Sequence, residues 1–401
     1  MERVDLLVIG GGPSGAIAAR TAAEAGARVL LVERGRPGVR PPACTGLVSP
    51  RTLPALRASG ASVVREIHAV RVHAPGGATA DLRAVDVKAF VLDRTRLDAE
   101  LLETARSAGA EVRTENEAVG FDGRRVTIRC GGEEGVVLPT VIIGADGPGS
   151  AVATWCGLDP PPRTVGMQAV VDSPIESPDR VDVYVGEDVA PGFFAWGVPA
   201  EDGRLRVGIL ADPDAGAADL LERLLRERFP GRTVVERTAG AVPAAPATRT
   251  TSGQVILVGD AAGQVKPISG GGLYTGGVCA RIAGEIAAIA ARSARDAPRE
   301  LARYEARWRE EIGEELRFGV AARRAMRSFS DADIDDATAL LSDPELAAHL
   351  AAAADIDRPS RLVGDLLRRR ALWPRLLPIL YRFVGDARVP PTVGRSSPPL
   401  L

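Results

Sequence analysis

The chain has 401 residues, 45% of them hydrophobic, enough to bury a large core shared between two or three domains. Charged residues make up 25% and the formal net charge is -2, so no basic field marks a nucleic-acid binder, and no nucleic-acid partner is expected. Cys44, Cys130, Cys156 and Cys279 are scattered without a C-x-x-C pair or a histidine cluster, which argues against a zinc site or a disulfide framework and for a reducing cytoplasm.

The N-terminus enters an apolar run, Leu6 to Ile9, that fits a strand buried on both faces. A turn follows that matches G-x-G-x-x-G at Gly10, Gly12 and Gly15, with Pro13 and Ser14 between them. Gly10 permits the tight turn, Gly12 lets backbone approach a pyrophosphate, and Gly15 lets the following helix pack close to the strand. That helix, alanine-rich from Ala16 to Ala25, points its positive end at the phosphates, and Gly26 ends it. Val29 to Val32 form a second strand with Glu33 at its end, about 20 residues beyond the glycines, where a carboxylate can accept hydrogen bonds from ribose hydroxyls. Strand, turn, helix, strand and acid fall in register for a dinucleotide, and leave NAD and FAD both open.

Thr140 to Ser150 (TVIIGADGPGS) is another strand running into an Asp146-Gly147 turn. Val181 to Leu210 has short β-rich runs with turns between, as an antiparallel sheet would, and Leu220 to Phe229 reads as an amphipathic helix beside it. Within that sheet, Pro191 to Pro199 (PGFFAWGVP) gathers Phe193, Phe194 and Trp196 in a chain that is only 4% aromatic, with at least one ring expected to face plain core. Gly253 to Ala288 then gives a strand ending in Gly259-Asp260, a loop, and Gly270-Gly271-Gly272 opening a long helix. An aspartate at a strand's end can bind a polyol, and bare N-H groups at a helix start can meet a ring edge or a phosphate, which implies a second site for the same long cofactor. No apolar run after the first strand approaches the roughly 20 residues of a membrane span.

After about residue 296 the chain becomes helical and arginine-rich, with Pro298 in the first turn of a helix running to Met326. Ser360 to Phe383 places Leu362, Val363, Leu366 and Leu367 on one face near Arg368 to Arg370, Trp373 and Tyr381, a combination that can lie on an anionic membrane surface. The competing reading is a helix packed on its own domain, and the last residues, from Asp386 on, are expected to be poorly ordered.

Three motifs in order, the N-terminal G-x-G-x-x-G, the middle D-G and the late G-D, resemble the FAD-dependent oxidoreductases of the para-hydroxybenzoate hydroxylase type. The resemblance implies that the first motif holds the FAD pyrophosphate, Glu33 the adenosine ribose, Asp260 the ribityl region, and Gly270, Gly271, Gly272 and Leu273 the isoalloxazine. Within that superfamily, PPACTGLVSPRTL (Pro41 to Leu53) and PGFFAWGVP resemble the geranylgeranyl reductase family, which saturates carbon-carbon double bonds in isoprenoid chains. Its Cys-x-Gly segment is matched by Cys44-Thr45-Gly46, and its P-x-x-Y-x-W-x-F-P pattern by Pro191, Phe194, Trp196, Val198 and Pro199, with Phe194 in place of tyrosine and Val198 in place of phenylalanine. Val91 to Ala110 fits the family too and places Arg94 near FAD, while Arg34, Thr45, Leu47 and Ala118 complete the cofactor contacts the resemblance implies.

The expected architecture is α/β: a discontinuous Rossmann-like FAD-binding domain (1–60, 90–155 and 250–295), an inserted antiparallel β-sheet substrate domain (61–89 and 156–249), and a C-terminal helical region (296–401). The expected reaction reduces an isoprenoid lipid or other prenyl substrate. FAD is reduced by an external donor, NADPH, ferredoxin or a deazaflavin; hydride passes to one alkene carbon and a proton, from Cys44 or water, reaches the other. Phe194 and Trp196 line the substrate channel, Cys130, Cys156 and Cys279 are structural, and the protein is cytoplasmic or peripheral on the inner face of the membrane. A flavin monooxygenase or halogenase shares the framework, but the only lysines, Lys88 and Lys266, stand outside the context halogenation requires. A noncatalytic flavin-binding or electron-transfer protein is the reading from a different class.

Overall fold

The first apolar run becomes the strand Glu2–Ile9, with Leu6, Leu7 and Val8 wholly buried. It pairs in parallel with Val29–Glu33 on one side and Glu133–Gly144 on the other, so both faces need cover and no polar alternation appears. Glu111–Thr114 and Val255–Leu257 extend this sheet in parallel on either side, and the antiparallel strands Thr251–Ser252, Asn116–Phe121 and Val126–Cys130 complete its eight. The structure is a computed structural model describing residues 1–37 and 43–368. Pro41 and Pro42, together with Trp373, Tyr381 and the rest of the chain beyond 368, lie outside the described residues.

One face of this sheet is covered by the glycine-turn helix Pro13–Glu24 and by Leu273–Ala290, which pack closely because both are built from small residues. A methyl at Gly284 would lie 2.6 Å from the Ala18 carbonyl oxygen, so the contact leaves no room for a side chain there. The helix Ala297–Met326 adds the buried rings of Tyr304 and Trp308 to the same core. Leu273–Ala290 is, at 18 residues, long and apolar enough to cross a membrane by length and composition, which the sequence reading did not anticipate; most of it is buried inside the fold. Its apolar character answers to the sheet and helices around it.

A seven-stranded sheet holds the strands of residues 163–243 together with Ala69–His73 and Thr79–Arg83. Its pairs are antiparallel except where Arg180–Tyr184 runs parallel to Ala69–His73, two strands brought together from distant parts of the chain with no hairpin to fix their sense. Helix Ala217–Arg228 lays Leu220, Leu221, Leu224 and Leu225 on it, the face its periodicity predicts. A small sheet of Leu47–Val48, Ala89–Leu92 and Val63–Ile67 carries the chain past the Cys44 loop. Three short helices, Asp331–Leu340, Pro344–Ala353 and Pro359–Arg368, close the described chain, the first begun by a Ser330–Asp333 capping box.

Candidate active site

The turn after the first strand is shaped as its glycines require. Gly10 has φ +105°, and a methyl on it would lie 2.3 Å from the Ala145 carbonyl oxygen; one on Gly15 would lie 1.9 Å from the Gly10 carbonyl oxygen. Gly12 faces open space, so the backbone there is free to meet a ligand. Glu33 accepts from the N-H of Gly11 at 2.6 Å and of Gly35 at 2.7 Å, and its remaining lone pairs are left for hydroxyls. Arg34 is exposed beside it.

A cleft runs from this turn past Arg94 and Asp260 to the second glycine run. Its lining includes Gly12, Pro13, Ser14, Cys44, Leu47, Arg94, Asp260, Gly270, Gly271, Gly272 and Leu273. Eleven positions spread over some 260 residues thus meet in one place, while Ala118 sits on the strand Asn116–Phe121 opposite Ile128 and is not part of the lining. Asp146, in the middle D-G turn, is occupied locally: it accepts from Ser150 Oγ at 2.7 Å and from the Val152 N-H at 3.1 Å, while its neighbours Ala145 and Gly147 line the cleft. Burial pushes the Asp260 carboxyl above its ordinary value, with Arg94 pulling the other way. A half-buried, partly desolvated carboxylate at the cleft wall fits a polyol, whose hydroxyls would replace the lost water. Replacing Asp260 with asparagine should therefore have opposite effects on two measurements: the FAD-free protein melts higher, relieved of a partly desolvated charge, and FAD affinity falls about 10- to 100-fold, as expected for losing a charged hydrogen bond. Calorimetry and FAD titration check the two signs.

Arg94 holds Asp98 with two hydrogen bonds of 3.1 Å and reaches the Cys44 sulfur. Burial disfavours its charge, yet Cys44 and Asp98 together hold the guanidinium above its ordinary value. Cys44 Sγ also accepts from the Gly46 N-H at 3.3 Å. Arg206, on the strand Arg204–Ala211, donates to the carbonyls of Thr45 at 2.6 Å and Leu92 at 3.0 Å, tying the Cys44 loop to the second sheet. Sequence reasoning missed Arg206, because an arginine on a sheet strand carries no signal that it points inward.

Beyond Cys44 the cleft opens into a mainly apolar chamber of about 180 Å³, below the usual range for a whole ligand and therefore sized for part of a longer one. Thr45, Phe194, Trp196, Val198 and Leu210 line it, and the chamber and the cleft share Cys44, Leu47, Lys266, Gly270 and Gly271. The aromatics part in the turn before the strand Ala195–Pro199: Phe194 and Trp196 meet edge to face at 6.0 Å in the chamber wall, while Phe193 is buried under the Arg323 guanidinium at 4.1 Å. A separate apolar pocket of about 400 Å³ lies against Phe193 and helix Asp331–Leu340, and no described residue lines both it and the cofactor cleft. Gln168, unread in the sequence, accepts from Trp196 Nε1 at 3.4 Å and reaches back to the Cys44 carbonyl. Trp196 lies across Gly208, its partner on the next strand: a methyl there would be 2.4 Å from the indole and 2.7 Å from the Met167 carbonyl oxygen. Gly208→Ala is expected to push the indole into the chamber and raise KM for a prenyl substrate about tenfold with FAD content unchanged, as steady-state kinetics and absorbance would show.

Among the other cysteines, burial pushes the Cys156 thiol up to about 11 and Cys279 well above its ordinary value, so both are inert at neutrality, whereas Cys130 is exposed at a strand end.

A family model described as an FAD binding domain matches residues 3–307. The chain is 34% identical to digeranylgeranylglycerophospholipid reductase 2 of Methanothermobacter thermautotrophicus, covering 94% of this chain and 99% of that one. It belongs to the geranylgeranyl reductase family of FAD-binding proteins. The digeranylgeranylglycerophospholipid reductase of Methanosarcina acetivorans is 32% identical, covering 82% of this chain and 86% of its own. A crystal structure of a geranylgeranyl bacteriochlorophyll reductase-like protein from Thermoplasma acidophilum superposes with a TM-score of 0.79 at 26% identity, over 91% of this chain and all of that one. The protein is accordingly an FAD-dependent oxidoreductase, and the open backbone at Gly12, the half-buried Asp260 and the bare glycine run suit that cofactor's pyrophosphate, polyol and ring.

Proposed function

We propose that this protein saturates carbon-carbon double bonds in the isoprenoid chains of a lipid or related prenyl substrate, as the names of its relatives indicate for them. The observation that carries the reading is the shared boundary: Cys44, Leu47, Lys266, Gly270 and Gly271 line both the cofactor cleft and the apolar chamber walled by Phe194 and Trp196. FAD, reduced by NADPH, ferredoxin or a deazaflavin, supplies the hydride. The chain's own residues do the rest. An isolated alkene has no carbonyl to polarise it, so Phe194, Trp196 and Val198 must exclude water and align the chain, at roughly 0.8 kcal/mol per buried methylene. In this reading Cys44 or a water supplies the proton, and Arg94, Gly46 and Arg206 hold the Cys44 loop.

Anaerobic photoreduction followed by a geranylgeranyl lipid should reoxidise the flavin and yield products heavier by two hydrogens per bond. A flavin that stays reduced would sink the proposal.

The division into a discontinuous cofactor domain and an inserted substrate domain belongs to this reading, as does contact with a membrane surface from the cytoplasmic side. Helix Pro359–Arg368 leaves Leu362, Val363 and Leu366 only half-buried, the arrangement expected if they cover lipid. The full chain should therefore co-sediment with anionic vesicles more strongly than a chain ending at Asp357, which lacks this helix and keeps the partner of Lys266. Equal binding would remove the membrane contact while leaving the reaction untouched.

A further inference from the structure

Lys266 lies on the loop between the strand-end Asp260 and the second glycine run, and it lines both cleft and chamber. Its side chain crosses Gly271, where a methyl would sit 2.9 Å from the Cε and 3.3 Å from the ammonium nitrogen. The loop is closed under it by hydrogen bonds from the Lys266 N-H to the Gly271 carbonyl at 3.1 Å and from the Gly270 N-H to the Lys266 carbonyl at 2.9 Å. The Lys266 side chain is 13% exposed and its ammonium donates to Asp357 Oδ1 at 2.7 Å, and the Asp357 side chain has no exposed surface. Ser49 Oγ bonds the other carboxylate oxygen. Arg51 pairs with Asp355 at 3.1 Å, and Ile356 lines the chamber beside Trp196.

A segment 91 residues downstream of Lys266 thus enters the site and brings a wholly buried carboxylate to meet its one lysine. Burying such a pair costs several kcal/mol per ion before attraction repays it, so packing alone does not account for it. We propose that Lys266, oriented by Asp357 and Ser49, is a charge-positioning residue of the ring site, setting how readily bound flavin accepts electrons. The reduced ring carries more negative charge than the oxidised ring, and an ammonium on a residue lining the cleft, at low dielectric, favours it. Asp357 fixes the ammonium's position and tempers its field. The inference rests on the cofactor assignment for the Gly270–Gly272 run and extends it to the C-terminal region.

The flavin midpoint potential, measured by equilibrium reduction against a reference dye, tests this without any prenyl substrate. Lys266→Met should shift the equilibrium toward the oxidised form at least tenfold, about 30 mV for a two-electron couple, while Lys266→Arg stays near the parent. Asp357→Asn should move it the other way, since the ammonium loses its counter-charge. A structural role would lower melting temperature in both variants and leave the potentials alone. A Met variant within twofold of the parent, or Met and Asn variants shifting in the same direction, overturns the proposal. Should Lys266→Met release its FAD, the sign of the Asp357→Asn shift decides alone. A parent protein that takes up no FAD fails the cofactor assignment instead.

Discussion

Gly15→Ala is expected to yield a folded protein that has lost its FAD, with affinity down at least 100-fold. The methyl would be placed 1.9 Å from the Gly10 carbonyl oxygen and 3.2 Å from the Ala145 side chain, and backbone on the first of these sides cannot step aside as a flexible side chain would. Relief requires the helix Pro13–Glu24 to move off the strand Glu2–Ile9, taking with it the N-H groups of its first turn that face the cleft. A hundredfold loss is about 2.7 kcal/mol, which a displacement of a few tenths of an ångström at several hydrogen bonds supplies. The helix keeps most of its buried face, Ile17 and the alanines, so the cost falls on binding more than on folding. The check is the flavin absorbance of purified protein with an FAD titration and a melting curve: a yellow variant of parental affinity would show that the turn does not set the pyrophosphate site. Gly12→Ala, with nothing within 4 Å of the added methyl, should spare the fold altogether and cost affinity only through the ligand.

The contrast between these glycines explains why this half of the site was legible in the sequence. Each requirement there is local: a positive φ, a close approach, an open backbone, all within six residues. Asp260 and the Gly270–Gly272 run were legible for the same reason, as a strand end and a helix start with residue types that serve no purpose in a core. The chamber wall was half legible. The gathering of three rings is plain in the sequence, but Phe193 and Phe194 stand before the strand Ala195–Pro199, where no alternation sorts them, and which face of the strand looks into the chamber depends on the sheet's other side, where helix Ala217–Arg228 packs. Lys266, Gln168 and Arg206 were not legible as site residues. Their partners, Asp357, Trp196 and the carbonyls of Thr45 and Leu92, lie 91, 28, 161 and 114 residues away, and nothing local to a lysine, glutamine or arginine says that it turns inward. Arg94 was placed by resemblance alone, and its bidentate hold on Asp98 one helical turn later supplies the physical reason it stays extended beside Cys44.

Cys44→Ala is expected to keep its FAD, accept electrons from the donor at the parental rate, and lose kcat toward a prenyl substrate by about 100-fold or more. Reducing an alkene adds a hydride to one carbon and a proton to the other, and among the described residues shared by cleft and chamber only Cys44 and Lys266 carry an exchangeable side-chain proton. The Lys266 ammonium is committed to the Asp357 carboxylate at 2.7 Å, whereas Cys44 lines both cleft and chamber with its sulfur held by the Gly46 N-H and Arg94. A positioned general acid contributes about 10²- to 10⁴-fold, and water admitted into the methyl-sized gap would recover only the lower part of that. The split between constants separates the two roles open to this thiol. If Cys44 supplies the proton, kcat falls while KM moves only a few-fold, and serine, which keeps an exchangeable proton at nearly the same place, recovers part of the rate. If the sulfur only packs against the chain, KM rises, kcat holds, and serine is worse than alanine because it brings a polar group to an apolar wall. Single-turnover reoxidation of the reduced flavin by a geranylgeranyl lipid, compared for the parent, alanine and serine proteins, distinguishes these outcomes and would assign the proton to the solvent if all three rates agree.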